Sequence, residues 1–171
     1  TMAVLTEEQS LIKDQASAWV VAKAPVGSFR ALRDSKSGQS FAPDTYKAMV
    51  DMGWSGILVP QQYGGSDLGY LTFGLILEQL GRQLTASPLF SSSLVGVTAL
   101  LLAGNPAQKE ALLPGIASGS VLLTLALDES SRHQPEHTAL QAVKRGEGFT
   151  LAGSKTFVAE AFAKECGLTT V

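Results

Sequence analysis

Asp128 and Glu129 stand side by side at the end of an apolar run, Val121-Leu122-Leu123-Thr124-Leu125-Ala126-Leu127. Two carboxyls in unlike environments can divide proton donation and proton abstraction between them. Successive strand side chains point to opposite faces, however, so this pair cannot close on one substrate from a strand. With Ser130 and Ser131 behind them, the acids read better as turn formers at the strand end. His133 and His137 lie four apart, the spacing of two metal ligands on a helix. Pro135 between them argues against that helix, and no metal site is expected. Glu78 and Arg82, also four apart, have the order of an i,i+4 ion pair. Cys166 has no base and no positive neighbour beyond Lys164, and reads as an inert thiol. No Walker loop, G-x-G-x-x-G, G-x-S-x-G or H-E-x-x-H occurs, so no self-standing catalytic motif is legible.

The elements that must position these residues change character along the chain. Thr6 with Gln9 makes a capping box, Glu7 and Glu8 favour the positive end of a helix dipole, and Leu11, Ile12, Ala16, Trp19 and Val20 recur at helical spacing. Pro25 and Gly27 are expected to end that helix, and a polar loop rich in Ser, Gly and Lys follows from 35 to 40. Pro43 opens a second helix carrying Tyr46, Met49 and Val50, which Gly53 stops. The stretch Gly53-Trp54-Ser55-Gly56-Ile57-Leu58-Val59-Pro60-Gln61-Gln62-Tyr63-Gly64-Gly65 reads as a short extended segment, Ile57 to Val59, ending in a glycine turn between helices. Leu71 to Leu84 is apolar on nearly every side and belongs in the middle of a bundle. Leu94 to Ala103 repeats the pattern, and Asn105-Pro106 restarts a helix that closes at Gly119.

From Ser120 the signal is β. Residues 121–127 read as a strand, 139–144 weakly alternate, Gly146-Glu147-Gly148 marks a hairpin, Phe149 to Leu151 its return, and Thr156 to Val158 a further strand. The expected fold is α+β: an N-terminal all-α helical bundle (1–119) followed by an incomplete antiparallel β domain (120–171). So few strands leave edges without partners, and the chain is expected to stop before its fold does.

Composition narrows the function classes. Thirteen basic and 15 acidic residues give a formal charge of −2. No basic stripe appears, which speaks against nucleic acid. Only 16% of residues are charged while 45% are hydrophobic, so some surface is expected to be covered by another domain or subunit. One cysteine rules out an internal disulfide framework and suits a reducing compartment. The N-terminus lacks signal-peptide features, and Leu94 to Ala103 is too short to span a bilayer. These features read as a soluble, cytoplasmic protein without a membrane partner.

Residues 53–65 resemble the "GW.G..VP..YGG" signature of the acyl-CoA dehydrogenase family. Six further stretches match the family in order: Leu5 to Gln9; Leu77-Glu78-Gln79-Leu80-Gly81-Arg82; Ser87-Pro88-Leu89; Gln108-Lys109 with Leu113-Pro114 and Ala117-Ser118-Gly119; Ala126-Leu127-Asp128-Glu129; and Leu151 to Val158. The resemblance implies a helical domain, a central β domain and a C-terminal four-helix domain. It also implies FAD-dependent α,β-desaturation of an acyl-CoA thioester, in a homo- or hetero-oligomer with a homologous subunit. A glutamate would remove the α-proton while hydride passes to the flavin. That glutamate and the C-terminal bundle are not matched within this chain, so its catalytic residue is unknown.

Carried over position by position, the resemblance places Leu125, Leu127 and Asp128 against the flavin ring, Asp128 where the family has threonine. Gln134 falls in the stretch Arg132-His133-Gln134-Pro135-Glu136, which replaces the family's small "GSD" diphosphate-binding residues. Phe157 takes the ring-stacking position and Ala159 one that often carries a hydroxyl. An ionised acid at 128 would disfavour electron-rich reduced flavin. Together with the lost "GSD" stretch, this raises an alternative: a non-catalytic partner subunit that packs on an active homologue. A purely structural helical module would bind neither flavin nor CoA.

Overall fold

The computed structural model describes residues 4–160. Cys166 and the stretch from Lys164 to Val171 lie outside the described residues. Helix α1, Glu7–Lys23, starts on a complete capping box: the Thr6 hydroxyl accepts from Gln9 N, and the Gln9 side chain accepts from Thr6 N. Ala16 and Val20 are its buried positions and Trp19 packs at the core's edge, but Leu11, expected on the same face, is exposed. The first helix ends just before Pro25, as expected, but the polar loop does not follow at once. Pro25 takes extended dihedrals as the N-cap of a second helix, α2, Val26–Asp34, with Gly27 inside it. A proline at a helix entry loses no hydrogen bond, so Pro25 serves as a start signal as readily as a stop. Helix α2 buries no residue and lies on the outside, where Val26 N donates to the Gln83 side chain.

Helix α3, Pro43–Asp51, begins on Pro43 as expected and is closed by Gly53 at φ 76°. The run Ile57 to Val59 is not extended. Trp54–Gly56 forms a 3-10 turn, Ile57 stays right-handed helical, and Val59 N reaches back to Gly56 O. The coiled backbone lets Trp54, Ile57, Leu58 and Val59 all enter the core, where alternation would have exposed half of them. Gly65 then folds back onto Val59: a Cβ there would meet the Val59 carbonyl oxygen at 2.0 Å. Backbone bonds from Ser66 N to Gly56 O, Asp67 N to Val59 O and Leu68 N to Ile57 O tie the knot.

Helix α4, Gly69–Arg82, runs through the bundle against α1. Phe73, Ile76 and Leu80 are buried, while Gly74, Glu78 and Arg82 form a wet stripe that the composition concealed. A π-helical segment, Leu89–Gly96, leads into helix α5, Val97–Ala103, so this helical stretch starts five residues earlier than its apolar pattern suggested. Helix α6, Pro106–Ala117, opens on a second capping box, Asn105 with Gln108, and closes at Gly119, φ 73°. The core joins α1, α3, α4, α5, α6 and the 54–59 knot, with Trp19 and Trp54 edge-to-face at 4.9 Å.

Beyond the bundle, strands β1, Gln141–Arg145, and β2, Gly148–Ala152, form one antiparallel hairpin, exposed along its length. The architecture is α+β, a helical bundle followed by an incomplete antiparallel part. Residues 121–127 and 156–158 belong to no ladder among the described residues. The first segment spends its apolar side chains on the bundle instead: Leu122 and Leu123 are buried, and Leu123 N donates to Ser92 Oγ at 3.0 Å. No helix among the described residues is long and apolar enough to cross a membrane.

Candidate functional site

The residues singled out at the sequence level gather where the 121–130 segment leaves the bundle and 154–160 returns beside it. Direction is set at the bundle surface. Ser92 holds Leu123 N, and Gly96 lets Leu123 approach so closely that a Cβ there would sit 2.7 Å from Leu123 Cβ. The return segment is tied by Thr156 N to Asp128 O at 2.7 Å, by Thr124 Oγ1 to Ala159 O at 2.6 Å, and by Ser91 Oγ, which donates to the Glu160 carboxyl. Burial pushes the Glu160 carboxyl up, partly countered by its bond to Ser91.

Asp128 and Glu129 face different partners, although the segment that carries them is an irregular one and not the strand expected. Asp128 Oδ1 lies 2.9 Å from His133 Nδ1. Glu129 is the centre of a larger set. Its Oε1 accepts from Lys155 Nζ at 2.7 Å and from Leu140 N at 3.0 Å, and its Oε2 accepts from Ala139 N at 2.7 Å. Lys155 Nζ also donates to Leu127 O at 3.1 Å. The lysine, then the two backbone donors, hold the Glu129 carboxyl down at about 2. Both side chains of this pair are only 18% exposed, so the bond is shielded from water. Glu129 therefore closes a loop, bringing residues 139–140 and 155 onto 129.

An open cavity of about 270 Å³ lies beside it, lined by Leu127, Glu129, Arg132, Gln134 and His137 among others. The expected flavin-facing residues are split. Leu127 and Gln134 line this cavity, Asp128 is turned to His133, and Leu125 and Phe157 project outward, Phe157 79% exposed at φ 53°. Ala159 is exposed and offers its carbonyl to Thr124. Pro135–His137 is a single 3-10 turn, and no group of three or more His, Cys, Asp or Glu among the described residues could hold a metal ion. Glu78 and Arg82 pair at 2.7 Å on the surface of α4.

Leu125 and Phe157 offer apolar surface to a flat ring, but the loop does not fit a nucleotide diphosphate. The backbone donors that close it, Ala139 N and Leu140 N, are taken by Glu129, and Arg132 N and His137 N are bonded within the loop to Ser130 Oγ and Gln134 O. Lys155, Ser92 and Glu160 are the positioning residues that sequence reasoning passed over. Lys155 sat in a recognisable stretch, but no spacing rule joins it to Glu129 across 26 positions.

Residues 6–120 match the family model described as acyl-CoA dehydrogenase, N-terminal domain. Among curated proteins, cyclohex-1-ene-1-carbonyl-CoA dehydrogenase of Syntrophus aciditrophicus is 30% identical over 162 residues, 92% of this chain and 38% of that protein. Isovaleryl-CoA dehydrogenase of Pongo abelii, mitochondrial, is 35% identical over 116 residues, 66% of this chain and 27% of that protein. Among solved structures, the ChsE4-ChsE5 complex from Mycobacterium tuberculosis superposes with a TM-score of 0.77 at 28% identity, covering 91% of this chain and 41% of that one. The chain thus spans about two fifths or less of the length of these relatives.

Proposed function

The chain belongs to the acyl-CoA dehydrogenase family, and on that premise we propose that it is the N-terminal part of a subunit serving FAD-dependent α,β-desaturation of an acyl-CoA thioester. The catalytic base lies outside this chain. FAD, when bound by the assembled protein, supplies the redox chemistry. The contribution of the described residues is positional. The π-helical segment, through Ser92 and Gly96, fixes Leu123 in the core, and this sets the line along which 125–128 leaves the bundle.

The observation that carries this reading is the intact knot at 53–68. Gly65 packs onto Val59 more closely than any residue with a Cβ could, and the knot sits in a bundle matching the family over 6–120. The test is turnover by the assembled protein on a panel of acyl-CoA thioesters with an artificial electron acceptor, read by mass spectrometry. The reading expects a product two hydrogens lighter; an unchanged panel would overturn it.

A second reading is favoured by the Asp128–His133 pair and the Glu129 clasp: a non-catalytic partner subunit packed on an active homologue. Its similarity to one member of the ChsE4-ChsE5 complex supports this. Affinity purification from the native cell separates the two, since only this reading requires a second, homologous chain at a fixed ratio.

A further inference from the structure

We infer that the loop from Asp128 to Leu140 is a closed clasp around its own carboxylates that receives no diphosphate, so that a flavin nucleotide working with this protein has its diphosphate held by residues outside this loop. The inference rests on the proposed flavin dependence and concerns only where the nucleotide is gripped.

Three observations carry it. A phosphate-binding loop works by turning backbone N–H groups toward the anion. Here the two donors that close the loop, Ala139 N and Leu140 N, are directed at 2.7 and 3.0 Å to Glu129, an internal anion. The lysine that could have neutralised a phosphate, Lys155, is bound to the same carboxylate at 2.7 Å and to Leu127 O at 3.1 Å. Its side chain is as enclosed as that of Glu129, so it cannot swing to a ligand without leaving Glu129 bare.

Charge is the third. Residues 128–138 carry three carboxylates, Asp128, Glu129 and Glu136, against the guanidinium of Arg132 and the ammonium of Lys155 that the clasp already holds, so the site keeps an excess of negative charge. Glu129 is held ionised far into acid, and a diphosphate brought into the adjoining cavity would meet it along the wall. Like charges a few ångströms apart repel even where water screens them. His133 could offset this only when protonated, and Asp128 already engages it at 2.9 Å.

The test is hydrogen–deuterium exchange of the peptide spanning 128–140 in the assembled protein, with and without excess FAD, alongside FAD affinity of the Arg132→Ala and Gln134→Ala variants. The inference expects exchange at Ala139 and Leu140 to change less than twofold and FAD affinity to change less than threefold. Tenfold protection of those amides by FAD, or a tenfold loss of affinity in either variant, overturns it. Product formation is scored separately. Desaturation with an unmoved loop upholds both readings, desaturation with a protected loop overturns this inference alone, and an unmoved loop without any product counts against the proposed function alone.

Discussion

Replacing Gly65 by alanine probes the knot on which the bundle is organised. The added Cβ would lie 2.0 Å from the Val59 carbonyl oxygen and 2.5 Å from both Val59 C and Val59 Cβ. All three contacts are with backbone or a fully buried side chain, so none can yield by rotating away. Relief requires the 64–68 backbone to lift by more than an ångström. That breaks the bonds from Ser66 N to Gly56 O, Asp67 N to Val59 O and Leu68 N to Ile57 O, at 3.0, 3.2 and 2.9 Å. Three such bonds at about 1 kcal/mol each, with loosened packing around Val59, put the cost at about 3–5 kcal/mol.

Two other glycines calibrate the estimate. Gly53 sits at φ 76° with open space around its Cβ direction, so Gly53→Ala meets only backbone strain, about 1–2 kcal/mol. Gly74 lies inside α4, exposed, with nothing in the way, and Gly74→Ala should stabilise by about 0.5–1 kcal/mol. Urea denaturation followed by far-UV circular dichroism reads all three; with a slope of about 2 kcal/mol per molar, Gly65→Ala lowers the midpoint by about 2 M. A Gly65→Ala midpoint no lower than that of Gly53→Ala would refute the close-approach argument.

Ser55→Ala removes the 2.7 Å bond to the Ala117 carbonyl in the core and should cost about 1–3 kcal/mol in the same assay, with Ser55→Thr no rescue in so tight a site. Glu129, depressed from 4.5 to about 2, contributes stability that is fully present above pH 4.5 and lost as pH falls toward 2. Glu129→Gln should therefore flatten the acid limb of the stability profile, and an unchanged limb would remove Glu129 from its central place. Glu160 has the opposite sign: its carboxyl is raised, mainly by burial, so its contribution is present below pH 4.5 and lost as pH rises through the raised value. Glu160→Gln should abolish that decline, seen as a Tm that no longer falls over the interval. The 171-residue chain alone should show no dehydrogenase activity, checked by dye reduction with an acyl-CoA present.

Much of the bundle was legible because its signals are local. Thr6 with Gln9 and Asn105 with Gln108 form capping boxes from neighbours three apart, and Pro43, Gly53 and Gly119 mark ends by backbone conformation alone. The Gly146-Glu147 turn and its two strands are local in the same way. What escaped depends on distant partners. Ile57 to Val59 looks like a strand until it is known that Gly65 and Ala117 pack against this turn and leave room only for a coiled backbone. Residues 121–127 have strand composition, yet Leu122 and Leu123 are buried in the bundle, Leu123 held by Ser92 of the π-helical segment. The site was legible as a set of positions but not as an arrangement. Asp128 and Glu129 do turn to different partners, but from an irregular segment where a strand was expected, and the bonds from Glu129 to Lys155, Ala139 and Leu140 span 10 to 26 positions that no periodicity connects.

We propose above all that this chain works within a flavin-dependent acyl-CoA desaturase. The most direct test is the visible absorption spectrum of the assembled protein, purified from its own cells, before and after addition of an acyl-CoA. The expected result is a flavin band that bleaches when the thioester is added. A protein without a flavin band, or a band indifferent to every acyl-CoA offered, would contradict the proposal.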